Sequence, residues 1–185
     1  VDFYKVASYE LLWSDLLSAC AKTGKPVIIS TGMATLEEID VAVQTLRGSG
    51  CLNPTILDCT SSYPTPVNEA NLSAIFSMGE RYKCDIGWSD HTVEPGVISR
   101  AVNKWNAKVV EFHLDLDGEG DEFASGHCWL PADISKVISD LRKGMTADGD
   151  GVKGPMKSEM VEREWRADPT DGLRPFRHVR ESYEG

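Results

Sequence analysis

Short apolar runs rich in β-branched residues alternate along this chain with segments whose apolar residues recur every three or four positions. Each of the first four runs precedes a helical pattern; one such stripe comprises Leu36, Ile39, Val43 and Leu46. This alternation predicts right-handed βαβ units around a parallel sheet. The predicted strands are residues 3–7, 26–30, 55–59, 85–88 and 108–113, and a last helix is expected at residues 133–143.

The start of the second predicted helix carries a capping signal. Thr35 is followed three residues later by Glu38. A Thr side chain can accept from the backbone N–H three residues on, and the Glu side chain can reach back to the backbone of the cap. We therefore expect a capping box at Thr35, and a helix that ends at Gly48 and Gly50.

Polar residues gather at the carboxyl ends of the predicted strands, where a (β/α)8 barrel places its chemistry. This favours a barrel over a doubly wound sheet. Five strands are fewer than eight, and a complete barrel needs about 250 residues. We therefore predict an α/β fold that is a partial (β/α)8 TIM barrel of about five C-terminal βα units, with the first three strands absent. The polar residues are Ser8, Ser30, Thr31, Thr60, Ser61, Ser89, Asp90, His91 and His113.

Composition changes after the last predicted helix, and the change sets the expected domain boundary. Residues 1–145 are predicted to form the barrel portion. Gly, Pro and charged residues dominate residues 146–185, so we expect an extended tail there, with at most a short helix near residues 158–165.

Net charge and cysteine usage limit the kinds of partner and the cellular compartment that fit this chain. The chain has 29 acidic and 19 basic residues, a net charge of -10, which argues against nucleic acid as a partner. No apolar run has the length of a membrane span, and no signal peptide is recognisable. Five cysteines without a C-x-x-C pair favour reduced thiols. We expect a cytoplasmic protein without a membrane partner.

Two histidines at neighbouring strand ends are candidate metal ligands. His91 and His113 are 22 residues apart, and neutral imidazoles bind Mn, Fe or Zn. The alternative is a pair of hydrogen-bonded histidines at the edge of the core. Asp90 and Glu111 either orient these imidazoles or are solvated charges.

Strand-end hydroxyls and one lysine are candidate anion ligands. Ser and Thr hydroxyls at a barrel mouth suit phosphate or carboxylate oxygens, although strand-end capping is the commoner explanation for any single Ser. Lys5 lies inside an apolar strand, where a lysine is rare without a partner. It either points toward a phosphate site or protects an edge strand from aggregation.

Five short segments carry most of this candidate chemistry. They are residues 4–10 (YKVASYE), 24–33 (GKPVIISTGM), 59–66 (CTSSYPTP), 87–92 (GWSDHT) and 110–113 (VEFH). In this order and spacing they resemble the motifs of the N-acetylneuraminate (sialic acid) synthase family. The resemblance covers about residues 3–145.

The resemblance implies a reaction and a set of roles. Such an enzyme condenses phosphoenolpyruvate with an N-acetylmannosamine-type sugar to a nine-carbon 2-keto acid and releases phosphate. It implies a divalent metal, with Mn as the expected ion and Mg or Co as alternatives. By motif, the metal ligands would be His91 and His113, the phosphoenolpyruvate ligands would be Lys5, Ser8, Ser30, Ser61 and Ser89, and the residues facing the sugar would be Glu10, Tyr63 and Asp121.

Further expectations concern the activity and the assembly of the chain. As a fragment of such a synthase, the chain would have weak or no activity alone. Alternatively, it is a non-catalytic truncated barrel that binds metal or sugar, or assembles with another chain. Because open sheet edges need covering, a homo-oligomer is expected. Another phosphoenolpyruvate aldol-type synthase with a different sugar is the second enzymatic interpretation.

Overall fold

The computed structural model describes residues 1–183. In this range six parallel strands form one sheet in chain order. The strands are β1 (Tyr4–Val6), β2 (Val27–Ser30), β3 (Thr55–Asp58), β4 (Ile86–Asp90), β5 (Val110–Leu114) and β6 (Cys128–Trp129). The helices are α1 (Ser14–Lys22), α2 (Leu36–Gly48), α3 (Ser73–Tyr82), α4 (Pro95–Asn103), α5 (Asp121–Ala124), α6 (Pro131–Ala147) and α7 (Arg177–Glu181). The predicted α/β class is confirmed.

Alternate residues of each strand face opposite sides of the sheet. Val6, Ile29, Ile56 and Trp88 belong to the buried apolar core that α1–α4 cover. Because side chains alternate along a strand, their neighbours project to the other side. That opposite side is where the polar residues Lys5, Ser30 and Ser89 lie.

The sheet curls into a half-barrel. The Nζ of Lys5 on β1 lies 3.3 Å from the Oε2 of Glu111 on β5. These strands are separated by three others, so a flat sheet would hold the two side chains much further apart. The face opposite the helices is therefore concave, and we call it the concave face.

The capping box at α2 is confirmed. The backbone N–H of Glu38 donates to Thr35 Oγ1 at 3.3 Å, and the backbone N–H of Thr35 donates to the Glu38 carboxylate at 2.8 Å. The helix ends at Gly48, as the sequence predicted. These reciprocal bonds satisfy N–H groups that the first turn of a helix leaves without a partner.

The predicted number of about five strands is wrong, because the sheet also contains β6. Two residues are too short to produce an alternating pattern in the sequence. Pairing holds β6 in place, with Cys128 opposite His113 and Trp129 opposite Leu114. The fourth strand is also longer than predicted, so that Ser89 and Asp90 lie inside β4 rather than after it.

The chain divides into two compact units, Val1–Lys143 and Gly144–Gly185. The described part of the second unit contains two short 3₁₀ helices, Lys157–Glu159 and Glu162–Trp165, and α7. Asp168 organises this unit, because it accepts from the backbone N–H groups of Thr170 and Arg177. No helix within residues 1–183 has the length and apolar content needed to span a bilayer.

Candidate active site

A buried carboxylate holds the end of β4. Asp90 is fully buried and accepts hydrogen bonds from the indole N–H of Trp88 (3.1 Å) and the indole N–H of Trp129 on β6 (2.9 Å). The Thr92 hydroxyl (2.7 Å) and the Val93 backbone N–H (3.2 Å) also donate to it. Asp90 is therefore not a solvated charge. It fixes the turn that carries His91 and joins that turn to β6.

His91 is buried, and one of its two ring nitrogens is free to act as a ligand. Its Nδ1 lies 2.8 Å from the carbonyl oxygen of Thr60. A carbonyl only accepts, so Nδ1 carries the proton and Nε2 keeps its lone pair. Burial lowers the pKa of His91 below the ordinary value, which favours the neutral form that binds metals. The backbone is fixed as well, since the Thr65 N–H donates to the His91 carbonyl at 2.8 Å.

Three imidazoles meet at the rim of the concave face. The ring centroid of His113, near the end of β5, lies 5.3 Å from that of His91. It lies 4.9 Å from the ring centroid of His127, which directly precedes β6. His91 and His113 are thus brought together as predicted, and His127 joins them. Sequence reasoning missed His127, because the segment before β6 carries no periodic signal.

The ring of Tyr63 packs against all three imidazoles. Its centroid lies 4.4 Å from that of His91, 5.8 Å from that of His113 and 5.3 Å from that of His127. Tyr63 is about one-third exposed. It covers the histidine group on one side and leaves part of its surface exposed to solvent.

A lysine and several serine hydroxyls lie at the concave face, on or shortly after β1–β4. Glu111 accepts from the Ser89 hydroxyl at 2.7 Å and pairs with Lys5. The hydroxyl oxygens of Ser8 and Ser61 are 3.1 Å apart. The Ser30 hydroxyl is buried without a hydrogen-bond partner among the described residues, and a buried orphan hydroxyl costs free energy unless a ligand or water satisfies it.

Gly32 brings two of these hydroxyls together. A Cβ at this position would lie 2.4 Å from Ser61 Oγ and 2.5 Å from the Ser8 Cβ, and Gly32 has a φ of +50°. Only glycine combines that backbone conformation with such close contact. The glycine after β2 is therefore what lets Ser8 and Ser61 approach each other.

A sequence model of the NeuB family matches residues 1–153. The chain belongs to the NeuB family. The family resemblance inferred from the motifs is thereby confirmed, and the histidine and hydroxyl groups described above all lie within the matched residues.

Named relatives and a solved structure agree with this assignment. The chain is 38% identical over 162 residues to N,N'-diacetyllegionaminic acid synthase of Campylobacter jejuni, covering 86% of this chain and 48% of that protein. It is 34% identical over 149 residues to pseudaminic acid synthase of the same species, covering 80% and 43%. The chain spans about half the length of the curated relatives it matches.

Among solved structures, the chain is similar to the N-acetylneuraminic acid synthetase of Leptospira borgpetersenii, which was crystallised with citrate. The TM-score is 0.74 at 30% identity, covering 92% of this chain and 59% of that one. The fold of this chain is therefore similar to that of the matched part of this synthetase.

Two predicted sugar-facing residues lie apart from the histidine group. Glu10 is half-buried in a 3₁₀ helix after β1, and Asp121 is exposed at the start of α5. Within residues 1–183, neither side chain forms a hydrogen bond or ion pair with the three imidazoles. Their roles in this member of the NeuB family stay predictions, as do those of the remaining site residues.

Proposed function

We propose that this chain contributes the barrel mouth of an enzyme that condenses phosphoenolpyruvate with an N-acetylmannosamine-type sugar. The products are a nine-carbon 2-keto acid and inorganic phosphate, with one water consumed. The observation that carries the proposal is the shared concave face. It presents imidazoles at one side, and a lysine, paired serine hydroxyls and the unpartnered hydroxyl of Ser30 at the other.

The residues fit a divalent cation at His91 and His113. The free Nε2 of His91 and the neighbouring imidazole of His113 are the donors that a transition ion such as Mn²⁺ accepts, with Mg²⁺ and Co²⁺ as alternatives. When bound, the ion supplies Lewis-acid polarisation of the sugar's open-chain aldehyde oxygen. The hydrogen bond from His91 to Thr60 keeps the ligating nitrogen aimed into the concave face.

The opposite side of the face fits phosphoenolpyruvate. Lys5 would bind the phosphate, exchanging part of its contact with Glu111 for the ligand. The hydroxyls of Ser8 and Ser61 share one hydrogen bond between them, so one hydroxyl proton remains free to donate to an anion. Ser30 adds a further hydroxyl, and Ser89 would exchange its bond to Glu111 for one to the ligand. These groups offset the charge of a trianionic substrate in a chain whose net charge is negative.

The reaction places distinct demands on the two sides. The enol carbon of phosphoenolpyruvate attacks the aldehyde, water adds at the resulting cationic carbon, and phosphate leaves the tetrahedral intermediate. Lys5 and the serine hydroxyls stabilise charge on the departing phosphate. Tyr63, Glu10 and Asp121 are assigned to orient the sugar.

Five cysteines, none of them in a disulfide, suit a reaction carried out in the cytoplasm.

The test is phosphate release from phosphoenolpyruvate with N-acetylmannosamine and Mn²⁺, repeated with other amino sugars and aldoses. His91→Ala should lower the rate by about 10³-fold or more, since Lewis-acid stabilisation contributes several kcal/mol. The matched control is His178→Ala, because His178 is the histidine outside this group and pairs with Glu164. Turnover that survives in His91→Ala would refute the metal role.

One observation favours a second candidate, a non-catalytic module that assembles with another chain or with a second copy of itself. Within residues 1–183, β1 pairs with β2 alone, and the apolar side chains of Phe3 and Trp13 beside this edge are more than half exposed. An uncovered strand edge with apolar neighbours is a site of pairing. Manganese binding without turnover on any aldose would support this candidate instead.

A further inference from the structure

Two residues that the family resemblance did not single out lie beside His113. The Nδ1 of His113 is 3.5 Å from Glu122 Oε2, and the Nε2 of His127 is 4.0 Å from the same oxygen. With the Sγ of Cys128, one ligand atom from each of these four residues lies within 4.8 Å of the others. Ligands of one transition ion stand about 3–4 Å from each other, since each bond is about 2.0–2.3 Å. A small movement of these side chains toward one another would therefore bring their ligand atoms to the spacing that one ion requires.

The hydrogen bonds of His127 determine which of its nitrogens is free. The Ser125 hydroxyl donates its single proton to the Glu122 carbonyl at 2.7 Å. Ser125 Oγ must then accept from His127 Nδ1, which lies 2.8 Å away. The proton of His127 is thus on Nδ1, and Nε2 presents a lone pair toward Glu122 and His113. Metal-ligating histidines characteristically make such a bond through their second nitrogen.

The backbone holds the imidazoles firmly and leaves the carboxylate adjustable. His127 is only 7% exposed, and the register of β5 and β6 places Cys128 directly opposite His113. The Glu122 side chain is 71% exposed on the short helix α5. The His127 imidazole is thus buried and oriented, and among the described residues its Nε2 forms no hydrogen bond, which suits a metal ligand. An exposed carboxylate nearby can rotate to meet that ion at low cost.

We propose that His127 and Glu122 are ligands of the cation held at His113. The site would then present a carboxylate and at least two imidazoles, a donor set that selects transition ions such as Zn²⁺, Co²⁺, Fe²⁺ or Mn²⁺ over Mg²⁺. This inference deepens the proposed function because it shares His113 with it. It does not require that the chain turn over any substrate.

The test is titration of the metal-free chain with Co²⁺, followed by visible absorption and by calorimetry, without substrates. His127→Asn is the informative variant, because the Asn amide can still donate to Ser125 while Nε2 is removed. We expect at least a 10- to 100-fold loss of Co²⁺ affinity and a changed cobalt spectrum. Glu122→Gln should weaken binding less, and His178→Ala should leave it unchanged. Wild-type Mg²⁺ binding should be far weaker than Co²⁺ binding.

The outcomes separate this inference from the proposed function. Unchanged Co²⁺ affinity and spectrum in a folded His127→Asn chain, checked by circular dichroism, would overturn the inference. Phosphate release measured on the same samples reports on the function independently. Cobalt bound through His127 without turnover on any aldose would refute the function and leave this site standing. Turnover together with unaltered metal binding in His127→Asn would refute this site and leave the function standing.

Discussion

The two sides of the concave face are built in different ways. On β1–β3, short hydroxyl side chains stand close together because Gly32 has no side chain to separate Ser8 from Ser61. On β4–β6, His91 and His127 are oriented by hydrogen bonds from their second ring nitrogens to a carbonyl and a hydroxyl. The first side is organised by close packing and the second by a polar network, so the two should respond to different substitutions.

The largest expected effect is a loss of stability when Asp90 is replaced, because this carboxylate supports the side of the concave face that carries the imidazoles. Asp90→Ala would leave the indole N–H groups of Trp88 and Trp129 and the Thr92 hydroxyl without their acceptor. Each buried donor left unpaired costs about 1–3 kcal/mol, so the free energy of unfolding should fall by about 3–5 kcal/mol. Urea unfolding measures this fall in the free energy of unfolding.

Asp90→Asn sharpens this prediction, since it preserves the volume and one acceptor oxygen but turns the other acceptor into a donor. It should lose about half as much stability. The matched control is Asp85→Ala, an exposed aspartate just before β4. A folded Asp90→Ala chain with wild-type stability would show that the network does not support this side.

The second effect is a pH dependence of stability that comes from a carboxyl group at the end of β3. Burial raises the pKa of Asp58, at the end of β3, to about 7, and its Oδ2 has no partner among the described residues. In the unfolded chain this carboxyl ionises near its ordinary value of 3.8. Between these values the folded state binds the proton more tightly, so stability falls as pH rises and levels off above the folded pKa.

The contribution of Asp58 should lower the free energy of unfolding by about 2–4 kcal/mol between about pH 4 and about pH 8. Asp58→Asn should remove that part of the slope, while Asp85→Asn should not. Urea unfolding across this pH range makes the comparison. A wild-type slope in Asp58→Asn would mean that other groups carry the dependence.

The smallest expected effect is on the KM for phosphoenolpyruvate, and it tests whether the β1–β3 side binds this substrate. Lys5→Met keeps the length of the side chain but removes the charge that pairs with Glu111. If Lys5 binds phosphate, the KM for phosphoenolpyruvate should rise about 10- to 100-fold, the value of one charge-assisted hydrogen bond. The Co²⁺ affinity should not change. Lys22→Met, at the exposed end of α1, is the control. A loss of metal affinity with an unaltered KM would reverse the assignment.

Local patterns predicted the part of the site that depends on single strands. The positions of Lys5, Ser30, His91 and His113 follow from the βα period and from where each strand ends. The capping box at Thr35 is equally local. Each of these features involves residues within one element, where spacing carries the information.

Features that join distant parts of the chain could not be predicted in the same way. Asp90 and Trp129 are 39 residues apart, and neither carries a sequence signal for their contact. The two residues of β6 are held by β5 rather than by their own propensity, so the strand and His127 beside it were missed. A His-Cys pair directly before the apolar Trp129-Leu130 was the available hint.

Near His127, the carboxylate proposed to bind the ion and the carboxylate that joins the strands are different residues. This has a practical consequence for protein engineering. The Glu122 side chain is 71% exposed on α5, whereas the buried Asp90 joins β4 to β6 through the indole N–H groups of Trp88 and Trp129. Ion preference can therefore be redesigned at the carboxylate of α5, with carboxamide, thiol or imidazole replacements, while the tryptophan-bound aspartate is left untouched.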